Sequence, residues 1–174
     1  MTKPIKNAEI NPDNFVFTIE RTFDAPRERV WRAWTDEHLL SLWFGPKGCP
    51  ISYGKLDLRV GGSYLYCMTL PTGEKWWGKW IFKEISAPER LVMITHFSDE
   101  NAEIMRHPLA PTWPLQMHSI TTFTEKDGKT TISLQWTAYN ATEQECQTFF
   151  EGKDSMNKGW GGTFEQLEAF LAKG

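Results

Sequence analysis

Near the C-terminal end of the chain, "SITTFTEK" and "KTTISLQW" (119–126 and 129–136) flank the dipeptide Asp127-Gly128. A two-residue Asp-Gly connection between β-rich runs is a strong local signal for a tight antiparallel hairpin. It also sets the pairing, because only one register lets two residues turn the chain. Lys126 must face Lys129, and Phe123, Thr121 and Ser119 must then face Ile132, Leu134 and Trp136. Side chains alternate between the faces of a strand, so these residues share one face with Met117. The opposite face carries His118, Ile120, Thr122, Ser133, Gln135 and Thr137 and is more polar. One side of this hairpin is therefore buried, and a core must cover it.

The rest of the chain supplies that cover. "NFVFTIERTF" (14–23) alternates Phe15, Phe17 and Ile19 with Val16, Thr18 and Glu20, and reads as a strand. Two short helices follow. The first is capped by Asp24 with Pro26 in its first turn; the second is capped by Thr35 or Asp36 and stops at Gly45-Pro46. Strands are expected at 49–58, 62–70, 74–85, 90–97, 115–126 and 129–138, with turns at Gly61-Gly62, Pro71-Thr72-Gly73 and Ala87-Pro88. Residues 98–114 form a connection long enough to be a lid or binding loop. A helix starting near Thr142 places Met156, Trp160, Phe164, Leu167 and Leu171 at helical spacing. The fold class is α+β: a curved antiparallel sheet of about seven strands, two short helices after the first, wrapped around a long C-terminal helix. Residues 1–13 read as a flexible arm and 14–174 as a single domain. Gly159, Gly161 and Gly162 surround Trp160 although each costs roughly 1 kcal/mol against alanine in a helix. They are expected to let the helix pass close to the sheet or a ligand approach its backbone.

Composition excludes several functions. Net charge is −3 with no Lys/Arg stripe, which argues against nucleic acid as a partner. Cys49, Cys67 and Cys146 have neither CxxC spacing nor an even count, and read as reduced thiols, with Cys67 a small buried hydrophobe. No apolar run approaches the roughly 18 residues of a membrane span, and the N-terminus has no signal-like core. The expectation is a cytoplasmic protein with no membrane partner. His38, His96, His107 and His118 lack metal-ligand spacing, and no phosphate loop or dinucleotide fingerprint occurs, so neither metal nor cofactor is expected.

Several segments together resemble a known family. "FTIERTFDAPRERVWRAWTDEHLLSLWFGP", "LDLRVGGSYLY", "PTGEKWWGKWIFKEISAPERLVMITHF" and "GWGGTFEQLEAFL" are similar to the activator-of-heat-shock-protein-90-ATPase homologues of the START-like (SRPBCC, helix-grip) superfamily. The resemblance runs through residues 14–172. It implies a hydrophobic cavity between the sheet and the C-terminal helix. It implies no single activity, since members range from lipid carriers to cyclases to co-chaperone domains.

Read on the residues, Tyr64, Tyr66 and Met68 alternate on one strand and share a face. With His96, Met117, Ser119, Trp136, Trp160 and Phe164 they form the expected cavity lining, apolar with a few polar tips. Trp113, held between Pro111 and Pro114, is placed at the cavity mouth. Trp76 and Trp77 must point to opposite faces. One of them, with Trp80, is expected on the less buried side or at a rim, where it suggests a contact surface; Trp80 also joins the ligand-contacting set. Trp31, Trp34 and Trp43 read as core staples. Glu84, Arg90 and His96 lie on adjacent strands and would have to meet for acid–base work, the simpler reading of Glu84 and Arg90 being a salt bridge. No catalytic residue is assigned. The expected function is non-catalytic binding of a small hydrophobic or aromatic molecule. The alternatives are a stress-related protein associated with a chaperone, or a cyclase- or hydrolase-type enzyme. Self-association as a dimer is the other partner expectation.

Overall fold

The computed structural model describes residues 12–173. Most of the expected N-terminal arm lies outside them. Pro12–Asn14, however, form a 3-10 turn packed against the helix that begins at Glu143.

The strands are β1 (Phe17–Phe23), β2 (Ile51–Leu56), β3 (Ser63–Thr69), β4 (Lys75–Ser86), β5 (Arg90–Ser98), β6 (Ile104–Met105), β7 (Gln116–Lys126) and β8 (Lys129–Tyr139). Seven of them make one antiparallel path in the order β1-β8-β7-β5-β4-β3-β2, and the two-residue β6 adds to β5 inside the long connection. The β7–β8 register is the one the Asp-Gly turn demands, with Lys126 opposite Lys129 and Ser119 opposite Trp136. Asp127 and Gly128 both have positive φ, 54° and 76°, which is the backbone of a type I′ turn.

Helices α1 (Arg27–Thr35) and α2 (Glu37–Trp43) follow β1. The cap expected of Asp24 does not form: Pro26 holds the N-cap position of α1 and makes no side-chain cap. Asp36 caps α2, its carboxylate accepting from the Leu39 N–H at 2.9 Å. The expected single C-terminal helix is two, α3 (Glu143–Glu151) and α4 (Lys153–Ala172), joined at Gly152. Thr142 and Glu145 form a reciprocal capping box at the start of α3, satisfying two otherwise unpaired N–H groups. A side chain at Gly152 would stand 2.7 Å from the Trp113 ring, so this joint needs the glycine.

All four helices lie on the concave side. The core there joins Phe17, Phe23, Val30, Trp34, Leu40, Phe82, Leu91, Phe123, Ile132, Leu134, Phe164 and Leu167. Leu167 and Phe164 are fully buried, and Phe164 meets Phe23 edge-on at 5.6 Å.

Candidate functional site

Register places the concave side chains in rows. Tyr64 stands beside Trp80, Trp80 beside Thr95, Thr95 beside Met117, and Met117 beside Ala138. The adjacent row runs Phe82, Met93, Ser119, Trp136, Phe17. Tyr66 and Met68 extend the same face toward β2, and α4 adds Trp160 and Phe164. Tyr64, Tyr66, Met68, Trp80, Met117, Ser119, Trp136, Trp160 and Phe164 therefore come to one side, as the sequence suggests.

Two placements differ from expectation. His96 pairs with Lys79 and has the parity of Ile94 and His118, so it faces the convex side, away from the row that holds Thr95. Its Nδ1 lies 2.7 Å from the Phe97 carbonyl, and burial holds its pKa below the usual value. Trp80 is no rim residue. It is 3% exposed and shares the concave face with Trp76, while Trp77 points outward against Tyr53 at 5.4 Å. Trp113 packs on Phe149 at 5.5 Å and on the α3–α4 joint.

The centre of the face is Trp34, contributed by α1. Its indole lies within 8° of the plane of Trp160 at 6.1 Å and within 25° of Trp80 at 6.0 Å. Trp160 meets Trp136 edge-on at 5.5 Å, and Phe44 bridges Tyr66 at 5.1 Å and Trp80 at 5.0 Å. Trp34, Phe44 and Thr95 are absent from the sequence-based set. Thr95 follows from Met117 once β5 and β7 are known to be neighbours, but nothing in either segment states that adjacency. Trp34 has the helical spacing of an ordinary core residue.

Tyr66 lies flat across Gly78; a Cβ there would come within 2.3 Å of its hydroxyl. Gly54 in turn gives room to the Tyr64 hydroxyl. Burial raises both phenols, Tyr66 to about 12 even against its hydrogen bond with Trp80, so both stay neutral donors at physiological pH. Gly159 and Gly161 behave differently. A Cβ at either would meet nothing within 4 Å, and one at Gly162 would make ordinary contact with Pro46 at 3.7 Å. The close helix–sheet passage expected of these glycines is not what they provide; the space beside them is open.

The polar tips among the rings are incomplete. Tyr64 Oη, Trp76 Nε1, Thr95 Oγ1, Ser119 Oγ, Thr121 Oγ1 and Trp136 Nε1 on the concave strands, and Trp34 Nε1 on α1, are buried without a hydrogen-bond partner. Each such group costs about 1–3 kcal/mol. Trp43 shows the contrast one helix away, where its Nε1 donates to the Ala33 carbonyl at 2.8 Å.

The long connection closes one end of this face. Arg106 donates to Glu145 at 2.6 Å and Thr112 bonds Thr148 at 2.8 Å, tying the loop to α3. Burial opposes ionisation of Glu145, but the Thr142 N–H and the Arg106 guanidinium outweigh it and hold the carboxyl below its usual range. His107 sits among Phe97, Trp76 and Trp113 with centroids at 4.8, 5.5 and 6.0 Å, its Nδ1 accepting from the Leu109 N–H. Glu84 and Arg90 bond each other at 2.6 Å on the exposed rim, and His96 does not join them. Among the described residues no group of three His, Cys, Asp or Glu gathers as a metal site, and no helix is long and apolar enough to cross a membrane.

A family model for Activator of Hsp90 ATPase homolog 1-like protein matches residues 24–172. The chain belongs to this family. Its fold is shared by a solution structure of a protein from Arthrobacter aurescens, 28% identical, covering 95% of this chain and 91% of that one with a TM-score of 0.77. A crystal structure of a Mycobacterium smegmatis protein is also 28% identical, covers 92% and 93%, and has a TM-score of 0.75. A Nitrosomonas europaea protein follows at 26% identity, 91% and 94% coverage and a TM-score of 0.71. No curated protein matches this chain. In this Activator of Hsp90 ATPase homolog 1-like protein the C-terminal helix α4 packs against β1.

Proposed function

We propose that the protein binds a small hydrophobic or aromatic molecule, without transforming it, between the concave face and α4. The reading rests on the buried, unpartnered Tyr64, Thr95, Ser119 and Trp136 polar atoms set among aromatic rings. An apolar surface with a few convergent polar groups is the usual composition of a small-molecule site. The rings supply affinity by apolar burial, at roughly 25 cal/mol per Å². The tips orient the guest and gain the partners they lack. A Cβ at Gly159 or Gly161, on either side of Trp160, would meet no neighbouring atom.

N-phenyl-1-naphthylamine, a neutral fluorescent probe, is expected to bind the native protein with one-to-one stoichiometry. Ser119→Phe fills the site and displaces it; chelators, nucleotides and thiol-blocking reagents leave it bound. Binding that survives Ser119→Phe and is lost in Trp77→Ala moves the site to the convex face and defeats the proposal. That outcome favours the second reading, a chaperone or other protein partner. The family's name and the outward Tyr53–Trp77 pair support it.

A further inference from the structure

Residues of α1, α2 and the C-terminal part of α4 line a groove of about 550 Å³. One wall is Gln166, Ala169 and Phe170 of α4 with its C-cap Lys173, a stripe at i, i+3, i+4 and i+7 two turns long. Leu39 and Leu42 of α2 and Arg29 and Arg32 of α1 form the other walls, each pair also three residues apart. Leu42 is 56% exposed, far more than a leucine on a helix packed between two others needs to be. A smaller hollow of about 120 Å³ shares Leu42 and Gln166 and extends the depression toward Pro46 and Pro50.

The charge is one-sided. The chain carries −3 overall, yet Arg29, Arg32 and Lys173 are the charged residues of the groove and no carboxylate lines it. None of the three cations forms an ion pair among the described residues, whereas neighbouring Arg21 and Arg27 are engaged by Glu168 and Glu89.

We propose that this groove docks an acidic amphipathic helix of a partner protein. The stripe at i, i+3, i+4 and i+7 on one wall, with pairs three residues apart on the other two, is the kind of surface into which a further helix lays anchors at i, i+3, i+4 and i+7. Leu39, Leu42, Ala169 and Phe170 take its apolar face, and Arg29, Arg32 and Lys173 meet carboxylates along its flanks. The site is distinct from the small-molecule site, since none of its lining residues belongs to the ring cluster of Trp34, Trp80, Trp136 and Trp160.

The test uses the full chain and a synthetic helix of about 14 residues, four turns, with leucines at the anchor positions, glutamates on the flanks and a fluorescent label. Anisotropy is expected to report saturable binding, weakened about tenfold or more by the Arg29→Glu/Arg32→Glu pair and by Leu42→Ser. The same peptide with lysines in place of glutamates is expected to bind the charge-reversed variant better than the native chain. Naphthylamine-probe binding stays intact in all variants, which reports the fold and separates this result from the internal site. Absence of peptide binding overturns the proposal, as does equal binding of the lysine peptide by the native chain. It is equally overturned if the peptide fails while phosphatidylglycerol vesicles bind through Arg29 and Arg32, or while the chain dimerises through Leu42.

Discussion

On the convex side of the sheet, His96 finds the Phe97 carbonyl, Glu84 finds Arg90, and Thr22 finds Thr131 across the β1–β8 pair at 2.7 Å. On the concave side, the polar atoms of Thr95, Ser119, Thr121, Tyr64 and Trp136 are buried and find nothing. Strands β5 and β8 carry members of both sets, and Thr95 and His96 are consecutive residues. A convex polar group can reach water or a neighbour on the rim. A concave one is walled in by indoles and phenyls, which offer no acceptor. The protein therefore pays a stability penalty on the side where a guest would relieve it.

The largest expected effect tests whether the concave side is truly a core. Phe164→Ala should cost about 3–5 kcal/mol in urea unfolding, against a fraction of that for Trp77→Ala outside; similar losses would erase the distinction. Next, Gly78→Ala pushes a methyl group into the Tyr66 hydroxyl and should cost about 1–3 kcal/mol. An unchanged midpoint would show that Tyr66 does not lie across that strand. Ser119→Ala sharpens the contrast further. Removing an unsatisfied hydroxyl should leave the free protein as stable or more stable by about 1 kcal/mol, while weakening probe binding. Gly159→Ala should raise stability by up to about 1 kcal/mol, because the new methyl meets no neighbour and the helix gains propensity. If it destabilises instead, the space beside Trp160 is not open.

The smallest effect concerns the loop. Burial lowers the His107 pKa, so the folded loop favours the neutral ring. That preference adds stability above the unfolded value near 6.5 and loses it as pH falls through the lower folded value. Amide exchange over residues 98–110, corrected for its intrinsic rate, should accelerate on acidification, while Glu145, held ionised, keeps its bond to Arg106. Exchange that ignores pH would remove His107 from the closure.

What could be read from sequence was whatever local geometry enforces. The Asp127-Gly128 turn settles the β7–β8 register and with it the face of Met117, Ser119 and Trp136. The alternation in β1 settles Phe17 and Ile19. His96 went astray because its face depends on β5 pairing with β7, a contact that skips the whole 98–114 connection. Trp80 needed the parity of Trp76 rather than Trp77, which only the pairing with Tyr64 reveals. The joint at Gly152 was hidden because its cause, the ring of Trp113, lies 39 residues earlier. The absence of partners at Thr95 and Ser119 is a property of three strands and two helices together, and no single segment carries it.

Because β5 bonds directly to β7, the stretch between them is a detour off the main sheet path, joined to it through the short β5–β6 pair. Strand β6 and the turn after it leave Ile104, Met105 and Leu109 exposed, with Leu109 at 76%. Exposed loop tips are where proteases cut and where insertions are accepted. A nick there breaks no strand pairing within the main sheet path, so the two fragments remain one particle until denatured. The same point is the natural place to splice in a tag or reporter, since added length there leaves every register in the principal path as it is.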